Sequence, residues 1–140
     1  MAPGANDPTL LEGLITLPSA HTPKETLDRL TLAVTARGMA IVARVDHAGA
    51  AIKVGLQLRP TELLIFGNPR VGTPLMQAAQ LIGLDLPLRA LAWQDETQGN
   101  WLSYADPNWI AGRYGISAVS KKVLAEMSAA LQAVTTEATA

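Results

Sequence analysis

The sequence contains no cysteine, which excludes disulfide bonds, thiolate nucleophiles, iron–sulfur clusters and zinc sites with cysteine ligands. Histidine is almost as rare, because only His21 and His47 are present. Two histidines cannot form a three-histidine metal site. We therefore expect the protein to work without a metal ion and without an organic cofactor.

Charged residues are also few, and neither sign dominates. Lysine and arginine together number 11, against 12 aspartates and glutamates, which gives a formal net charge of −1. The basic residues do not cluster into a patch that could follow a phosphate backbone. Nucleic-acid binding is therefore not expected.

The sequence lacks the features of a signal peptide and of a membrane span. Residues 1–8 have none of the positive charge that begins a signal peptide, and Glu12 interrupts the apolar stretch 10–17. These absences predict a soluble, cytoplasmic protein without membrane contact.

Apolar residues, by contrast, are abundant. Hydrophobic side chains make up 49% of the 140 residues, which is enough for one well-formed core, and the chain is too short for two stable domains. Residues 1–9 combine turn-forming residues without apolar periodicity. We predict a flexible N-terminal arm over residues 1–9 and a single domain over residues 10–136.

Capping residues and apolar spacing indicate where the helices lie. Thr22, Pro23 and Glu25 fit the N-cap, N1 and N3 positions of a capping box, and Thr73 before Pro74 repeats the cap-and-proline pattern. Apolar residues recur at helical spacing after both starts and again near the C-terminus. The predicted helical segments are 23–37, 48–54, 74–82, 106–113 and a final helix from residue 117 that frays into the Thr/Ala tail.

Short apolar runs closed by turn-forming residues predict five strands. The connection 95–99 has hairpin length and contains a glycine, so the last two strands are expected to be antiparallel. Helices between and after strands are typical of a two-layer α+β sandwich with helices backing a mainly antiparallel sheet, in the order β-α-β-β-α-β-β-α. The predicted strands are 11–17, 39–45, 62–66, 88–94 and 100–105.

Five groups of residues between Met39 and Ile110 form a recognisable pattern. They are Asp46-His47-Ala48, Leu64-Ile65-Phe66-Gly67-Asn68-Pro69, Gly72 with Leu75-Met76, Asp85-Leu86-Pro87-Leu88 and Tyr104-Ala105-Asp106-Pro107. Together they resemble the family catalogued as domain of unknown function 302. The resemblance is strong over roughly half of the chain and extends to the order of elements over nearly all of it.

This resemblance implies a fold similar to the TATA-binding-protein topology, in which helices back a curved antiparallel sheet. It also implies a homodimer, as in small bacterial members of the family. It does not imply DNA binding, because a fold does not carry its function with it and the basic saddle is absent here. The resemblance assigns no activity.

The loop 67–73 is the first candidate site, because it leads into the predicted helix 74–82. Free backbone amides at a helix start, with Arg70 beside them and Thr73 at the cap, could hold a phosphate or carboxylate. The glycine spacing resembles a P-loop, but Thr73 stands where the lysine is required, so nucleotide hydrolysis is rejected. The alternative, which we favour, is that Asn68 caps the loop through bonds from its side chain to the backbone.

His47 is the second candidate, because it follows a predicted strand. An imidazole there could act as a general base or as one ligand of a metal ion, with Asp95, Glu96 or Asp106 reaching it from other strand ends. A lone histidine at a strand end more often bonds a backbone carbonyl or faces solvent. The carboxylates have a structural alternative as well, in which Asp95 and Glu96 are solvated hairpin residues and Asp106 caps the next helix.

The aromatic residues are concentrated in one part of the chain. All of them except Phe66 lie between Trp93 and Tyr114. Trp93 and Trp101 lie on paired strands, where they could share a face and line an apolar pocket or a dimer interface. The alternative is that these rings belong to the core.

Three functions follow from these candidates. The first is a non-enzymatic small-ligand-binding or regulatory homodimer, with a polar pocket formed by His47, Asn68, Arg70 and Thr73 and a small anionic ligand. The second is an enzyme that uses His47 as the acid–base residue on a small anionic substrate held by the loop 67–73. The third is a structural oligomerisation module without a pocket of ligand size.

Overall fold

The structure is a computed structural model that describes residues 11–140. The predicted arm 1–9, and residue 10 of the predicted domain, lie outside the described residues. The strands are β1 (Leu14–Pro18), β2 (Ala40–Asp46), β3 (Thr61–Gly67), β4 (Leu88–Gln94) and β5 (Asn100–Ala105). The helices are α1 (Pro23–Ala36), α2 (His47–Lys53), α3 (Pro69–Ala78), a 3₁₀ helix (Gln80–Asp85), α4 (Pro107–Arg113) and α5 (Lys121–Thr139).

The five strands form one sheet in the order β1-β5-β4-β3-β2, and every neighbouring pair is antiparallel. The predicted two-layer α+β class and the predicted hairpin between β4 and β5 are therefore confirmed. In the part of the chain that the structure describes, no helix combines the length and the apolar character that crossing a membrane requires.

The core lies between one face of the sheet and the helices α1 and α5. Side chains alternate along β4, where Leu88, Ala90 and Ala92 are buried and Arg89 is exposed. The buried side chains pack against Leu30 of α1 and other apolar residues of α1 and α5. This packing covers one face of the sheet, and the hydrophobic contacts along it supply most of the driving force for folding.

Helix α1 begins where its sequence predicts. The hydroxyl of Thr22 accepts a hydrogen bond from the amide of Glu25, and the Glu25 carboxylate accepts one from the amide of Thr22. Pro23 occupies the first turn, where its missing N–H costs nothing. This capping box satisfies donors that a helix start leaves free.

Helix α3 begins earlier than the capping pattern predicts. The N-cap is Asn68 and not Thr73, and Pro74 lies inside the helix, which ends at Ala78. Asn68 competes successfully because its side-chain oxygen Oδ1 accepts from the amide of Arg70, and Pro69 follows as the favoured first helical residue. The predicted helix 74–82 was therefore wrong in both boundaries, and its last residues belong to the 3₁₀ helix.

Helix α5 also differs from its prediction, because it starts at Lys121 and continues to Thr139 without fraying. Arg29 of α1 holds the last turn, donating from Nε to the carbonyl of Ala138 (3.1 Å) and from Nη2 to that of Glu137 (2.9 Å). These bonds satisfy carbonyls that a helix end leaves without partners. The contact joins residues far apart in sequence, so the Thr/Ala composition of the tail does not reveal it.

The strand β2 forms one edge of the sheet and contains a β-bulge. Its pairing with β3 shifts between Ile41 and Ala43, which leaves Val42 as the extra residue. Val42 is 60% exposed. Bulges of this kind bend an edge strand and interrupt its ladder of hydrogen bonds.

Candidate functional site

The structure places His47 and the loop 67–73 at opposite ends of the sheet. His47 follows Asp46, which pairs with Glu62 near the start of β3, whereas Asn68 follows the end of β3. Successive antiparallel strands finish at opposite ends of the sheet. A strand of this length separates His47 from Asn68 by about 20 Å at ~3.3 Å per residue. The expected pocket shared by His47 and Asn68 is therefore not formed.

His47 is exposed and begins α2, whose N-cap is the carboxylate of Asp46. The carboxylates expected to reach it have other partners. Asp95 accepts four hydrogen bonds within its own hairpin, and Asp106 caps α4. Glu96 lies 3.8 Å from Arg59. Within residues 11–140, the structure shows no ion pair to His47 and no group of three His, Asp or Glu residues that could hold a metal ion.

The loop 67–73 uses its own amides to build the start of α3. The amide of Arg70 donates to the side chain of Asn68 (3.0 Å), and those of Val71 and Gly72 donate to the Asn68 carbonyl (2.9 Å each). An anion seat at a helix start needs amides that are free to donate. The local capping role of Asn68, which we favoured from the sequence, accounts for this geometry.

A cavity of about 280 Å³ lies at the Asn68 end of the sheet. Its walls come from the loop 67–73 and Met76 of α3, from the segment 86–88 that leads into β4, and from Val42 at the sheet edge. The remaining wall is the middle of α5, where Glu126, Met127 and Ala130 line the cavity. Four parts of the chain, within 40–42, 67–76, 86–88 and 126–130, therefore meet around one space.

The lining of this cavity is mainly apolar. Its polar side chains are those of Asn68, Thr73 and Glu126, of which Glu126 alone carries a charge in the part of the wall that the structure describes. Among the predicted site residues, Asn68 and Thr73 line the cavity, whereas His47 and Arg70 do not. The structure thus replaces the expected polar pocket with an apolar one that keeps half of the predicted residues.

Sequence reasoning did not predict the contributions of the segment 86–88 and of α5. The segment was within reach, because Asp85-Leu86-Pro87-Leu88 is one of the groups that carry the family resemblance. Its Leu86–Pro87 peptide bond is cis. Glu126 gave no signal, because nothing in a helical sequence shows which distant loop it will contact.

A cluster around Asp85 fixes the end of the 3₁₀ helix beside this wall. The hydroxyl of Tyr114 donates to the Asp85 carboxylate, and the guanidinium groups of Arg113 and Arg89 lie 3.4 and 3.8 Å from it. The hydrogen bond to Asp85 raises the pKa of the Tyr114 hydroxyl above its usual value. Because Asp85 directly precedes Leu86, these contacts hold the cavity wall in position.

The face of the sheet that α1 and α5 leave uncovered carries apolar and aromatic side chains. Trp93 and Trp101 are partners across β4 and β5, and their rings stack with centroids 6.1 Å apart. Leu63, Ile65 and Leu91 share this face and are half-buried. The tryptophans therefore lie outside the main core, on one face, as the alternation along their strands predicts. We refer to this surface as the open face.

The fold and the cavity define a small α+β domain with one antiparallel sheet, a helical layer and an apolar pocket at one sheet end. The chain belongs to the family described as domain of unknown function DUF302, which it matches over residues 15–134. This confirms the resemblance seen in the sequence.

A solved structure shares the fold of this chain. The crystal structure of an uncharacterized conserved DUF302 protein from Bacillus stearothermophilus matches 91% of this chain and 99% of its own, with a TM-score of 0.81 and 18% identity. At that identity it shows the fold alone.

Proteins named fluoride-specific ion channel FluC 1 from Brucella suis and Brucella abortus, and FluC 2 from Brucella melitensis, are each 46% identical over 115 residues. The match covers 82% of this chain but only 45%, 43% and 43% of those proteins. The chain thus spans less than half the length of these relatives.

Proposed function

We propose that this chain is a small-ligand-binding or regulatory domain that works as a homodimer. The observation that supports binding is the cavity of about 280 Å³ beside Asn68. Its volume is close to the lower end of the range for small-molecule sites, about 300–1,000 Å³, so it suits a compact ligand. An apolar lining with a few polar groups is also typical of such sites.

The geometry favours binding over catalysis by His47. A general base must lie within hydrogen-bond reach of the atom it deprotonates, in a place where the substrate is held. His47 is exposed and lies at the sheet end opposite the cavity. The enzyme alternative would need a second substrate site near α2.

The open face supports the homodimer. An antiparallel sheet that faces water normally alternates apolar and polar side chains, with the polar ones outside. Here Leu63, Leu91 and the stacked Trp93–Trp101 pair take the outer positions. Aromatic residues are enriched in interfaces, and a second copy of the same face would bury these side chains.

An NMR titration tests ligand binding. Cyclohexanol, a compact apolar probe, should shift the backbone amide signals of Gly67, Gly72 and Ala130, all of which line the cavity. Ala130→Trp fills the cavity and should abolish the shifts, whereas Ala129→Trp, at the exposed neighbouring position of α5, should leave them. Unmoved signals, or equal shifts in the two variants, would contradict the proposed function.

The Brucella relatives favour a second function, in which the domain modulates a fluoride channel. We propose it because 82% of this chain matches proteins that bear the fluoride-channel name at 46% identity. Since the chain spans less than half of those proteins, the domain would act on the channel and would not itself conduct.

Fluoride efflux from proteoliposomes tests this second function. The full-length Brucella suis protein would be compared with a version that lacks the segment matching this chain, using a fluoride electrode. Removal of the segment should change the efflux rate at least about twofold, and this chain added on the side that bears the segment should reverse part of the change. Equal rates with and without the segment would exclude the modulating role.

A further inference from the structure

The cavity carries a negative charge, and this charge indicates which class of ligand it can bind. Among the described residues that line it, Glu126 is the one charged side chain, and none of the ion pairs in residues 11–140 includes it. Glu126 is exposed, so its carboxylate lies at the rim, while Met127 on the same turn of α5 is buried. The cavity therefore presents an apolar interior and a negative rim.

The opposite wall, formed by the start of α3, contributes no cationic side chain that would offset this charge. The amides that begin α3 donate to Asn68, so they are not available to an anion. Arg70, the nearest cation in sequence, lies outside the lining. An anionic ligand would be repelled by Glu126 and would find neither a cation nor a free helix-start amide in this wall.

We propose that the ligand of this cavity is a compact, mainly apolar molecule with one protonated amine, which lies against Glu126 while the hydrocarbon part occupies the space between Val42, Met76 and Leu86. This inference rests on the proposed function and specifies its ligand class. It replaces the small anionic ligand expected from the sequence, because that expectation depended on Arg70 and free loop amides. Asn68 and Thr73 add neutral hydrogen-bonding groups to the same wall.

Three probes of similar shape and different charge show whether the charge of the ligand determines its affinity for the cavity. Cyclohexylamine, cyclohexanol and cyclohexanecarboxylate would be titrated into the protein at pH 7 and low salt, with dissociation constants taken from the NMR shifts. An exposed ion pair contributes up to about 1 kcal/mol, so the amine should bind about two- to fivefold more tightly than the alcohol. The carboxylate should bind more weakly than the alcohol by a similar factor. Raising the salt to about 0.5 M should reduce both differences.

A matched pair of variants locates the effect. Glu126→Gln should make the amine and the alcohol bind equally, whereas Glu137→Gln, which removes an exposed carboxylate of the same helix outside the cavity, should leave the preference intact. Equal binding of the three probes to the unaltered protein, or tighter binding of the carboxylate, would overturn the amine assignment while leaving the proposed function in place. If no probe shifts the cavity amides, the proposed function itself fails.

Discussion

The indole nitrogen of Trp101 donates a hydrogen bond to Asp95 Oδ2 at 2.8 Å. The other oxygen of Asp95 accepts from the amides of Thr97 (2.9 Å) and Gly99 (2.8 Å). One carboxylate therefore shapes the turn between β4 and β5 and anchors one ring of the open face. This role differs from the solvated hairpin residue that the sequence predicts.

Asp95→Ala should lower the melting temperature, because it removes the acceptor for three amide or indole donors and for the Thr97 hydroxyl. The fluorescence spectrum of the folded protein should shift as the Trp101 indole loses its partner. Glu96→Ala is the matched control, since Glu96 is an exposed neighbour with a single ion pair at 3.8 Å. Equal melting temperatures for the two variants would refute the anchoring role.

Acid should weaken the fold partly through Asp95. Its hydrogen bonds, first that of Trp101, lower the pKa of this carboxyl from 3.8 to about 2. A carboxyl group whose pKa is lower in the folded than in the unfolded state stabilises the fold at pH values above its unfolded-state pKa. This contribution disappears as the pH falls from about 4 to about 2. Melting temperatures of the unaltered protein and Asp95→Asn should therefore differ at pH 5 and converge near pH 2. A constant difference across this range would contradict the linkage.

Arg44 should stabilise the contact between the edge strand β2 and helix α1. Its guanidinium donates to Glu62 on β3 and, at 2.7 Å, to Asp28 on α1, and this bond lowers the pKa of Asp28. Arg44→Met should lower the free energy of unfolding, measured by urea denaturation, by about 1 kcal/mol. The decrease is this small because the ion pairs of Arg44 with Asp28 and Glu62 are partly exposed to solvent. Arg37→Met, at the exposed end of α1, should change the free energy of unfolding by less than about 0.5 kcal/mol.

Arg29→Ala should loosen the end of α5. The arginine donates to the carbonyls of Glu137 and Ala138, so its loss leaves the last turn without these partners. Hydrogen exchange of amides 136–140 should accelerate, while exchange at Leu131, deep in the core, should change little. Unchanged exchange in the last turn would show that Arg29 does not hold it.

Leu91→Lys should disrupt the proposed homodimer. Leu91 lies at the centre of the open face, on the middle strand β4, so a lysine there would place a charge inside the interface. Light scattering after size exclusion should report a dimer for the unaltered protein and a monomer for the variant. Leu32→Lys, at a 73% exposed position of α1, is the control that should remain dimeric. A monomeric unaltered protein would refute the dimer.

The sequence predicts the fold well because the decisive signals are local. The capping box at Thr22 marks α1, and the apolar runs place β4 and β5 with their observed boundaries. The start of α3 was misplaced because two cap-and-proline patterns, at Asn68 and at Thr73, compete over a few residues. Local rules do not determine which of the two prevails.

The site was predicted only in part, because it depends on strand direction and on distant contacts. Asn68 and Thr73 were identified from their turn chemistry, and they do line the cavity. His47 was grouped with them because His47 follows β2 and Asn68 follows β3. Since β2 and β3 are antiparallel, however, they finish at opposite ends of the sheet. Glu126 joins the wall through packing of α5, which no short motif records.

The extra residue Val42 limits the ability of copies of this protein to polymerise through the edge strand β2. The sequence of β2, Ala-Ile-Val-Ala-Arg-Val-Asp, is uncharged over its first half and would otherwise be a template for fibre growth. A strand from another copy can pair with β2 only where the free edge of β2 offers backbone N–H and C=O groups at regular spacing. The bulge interrupts this spacing and bends β2. The sheet is thereby protected against open-ended polymerisation at this border.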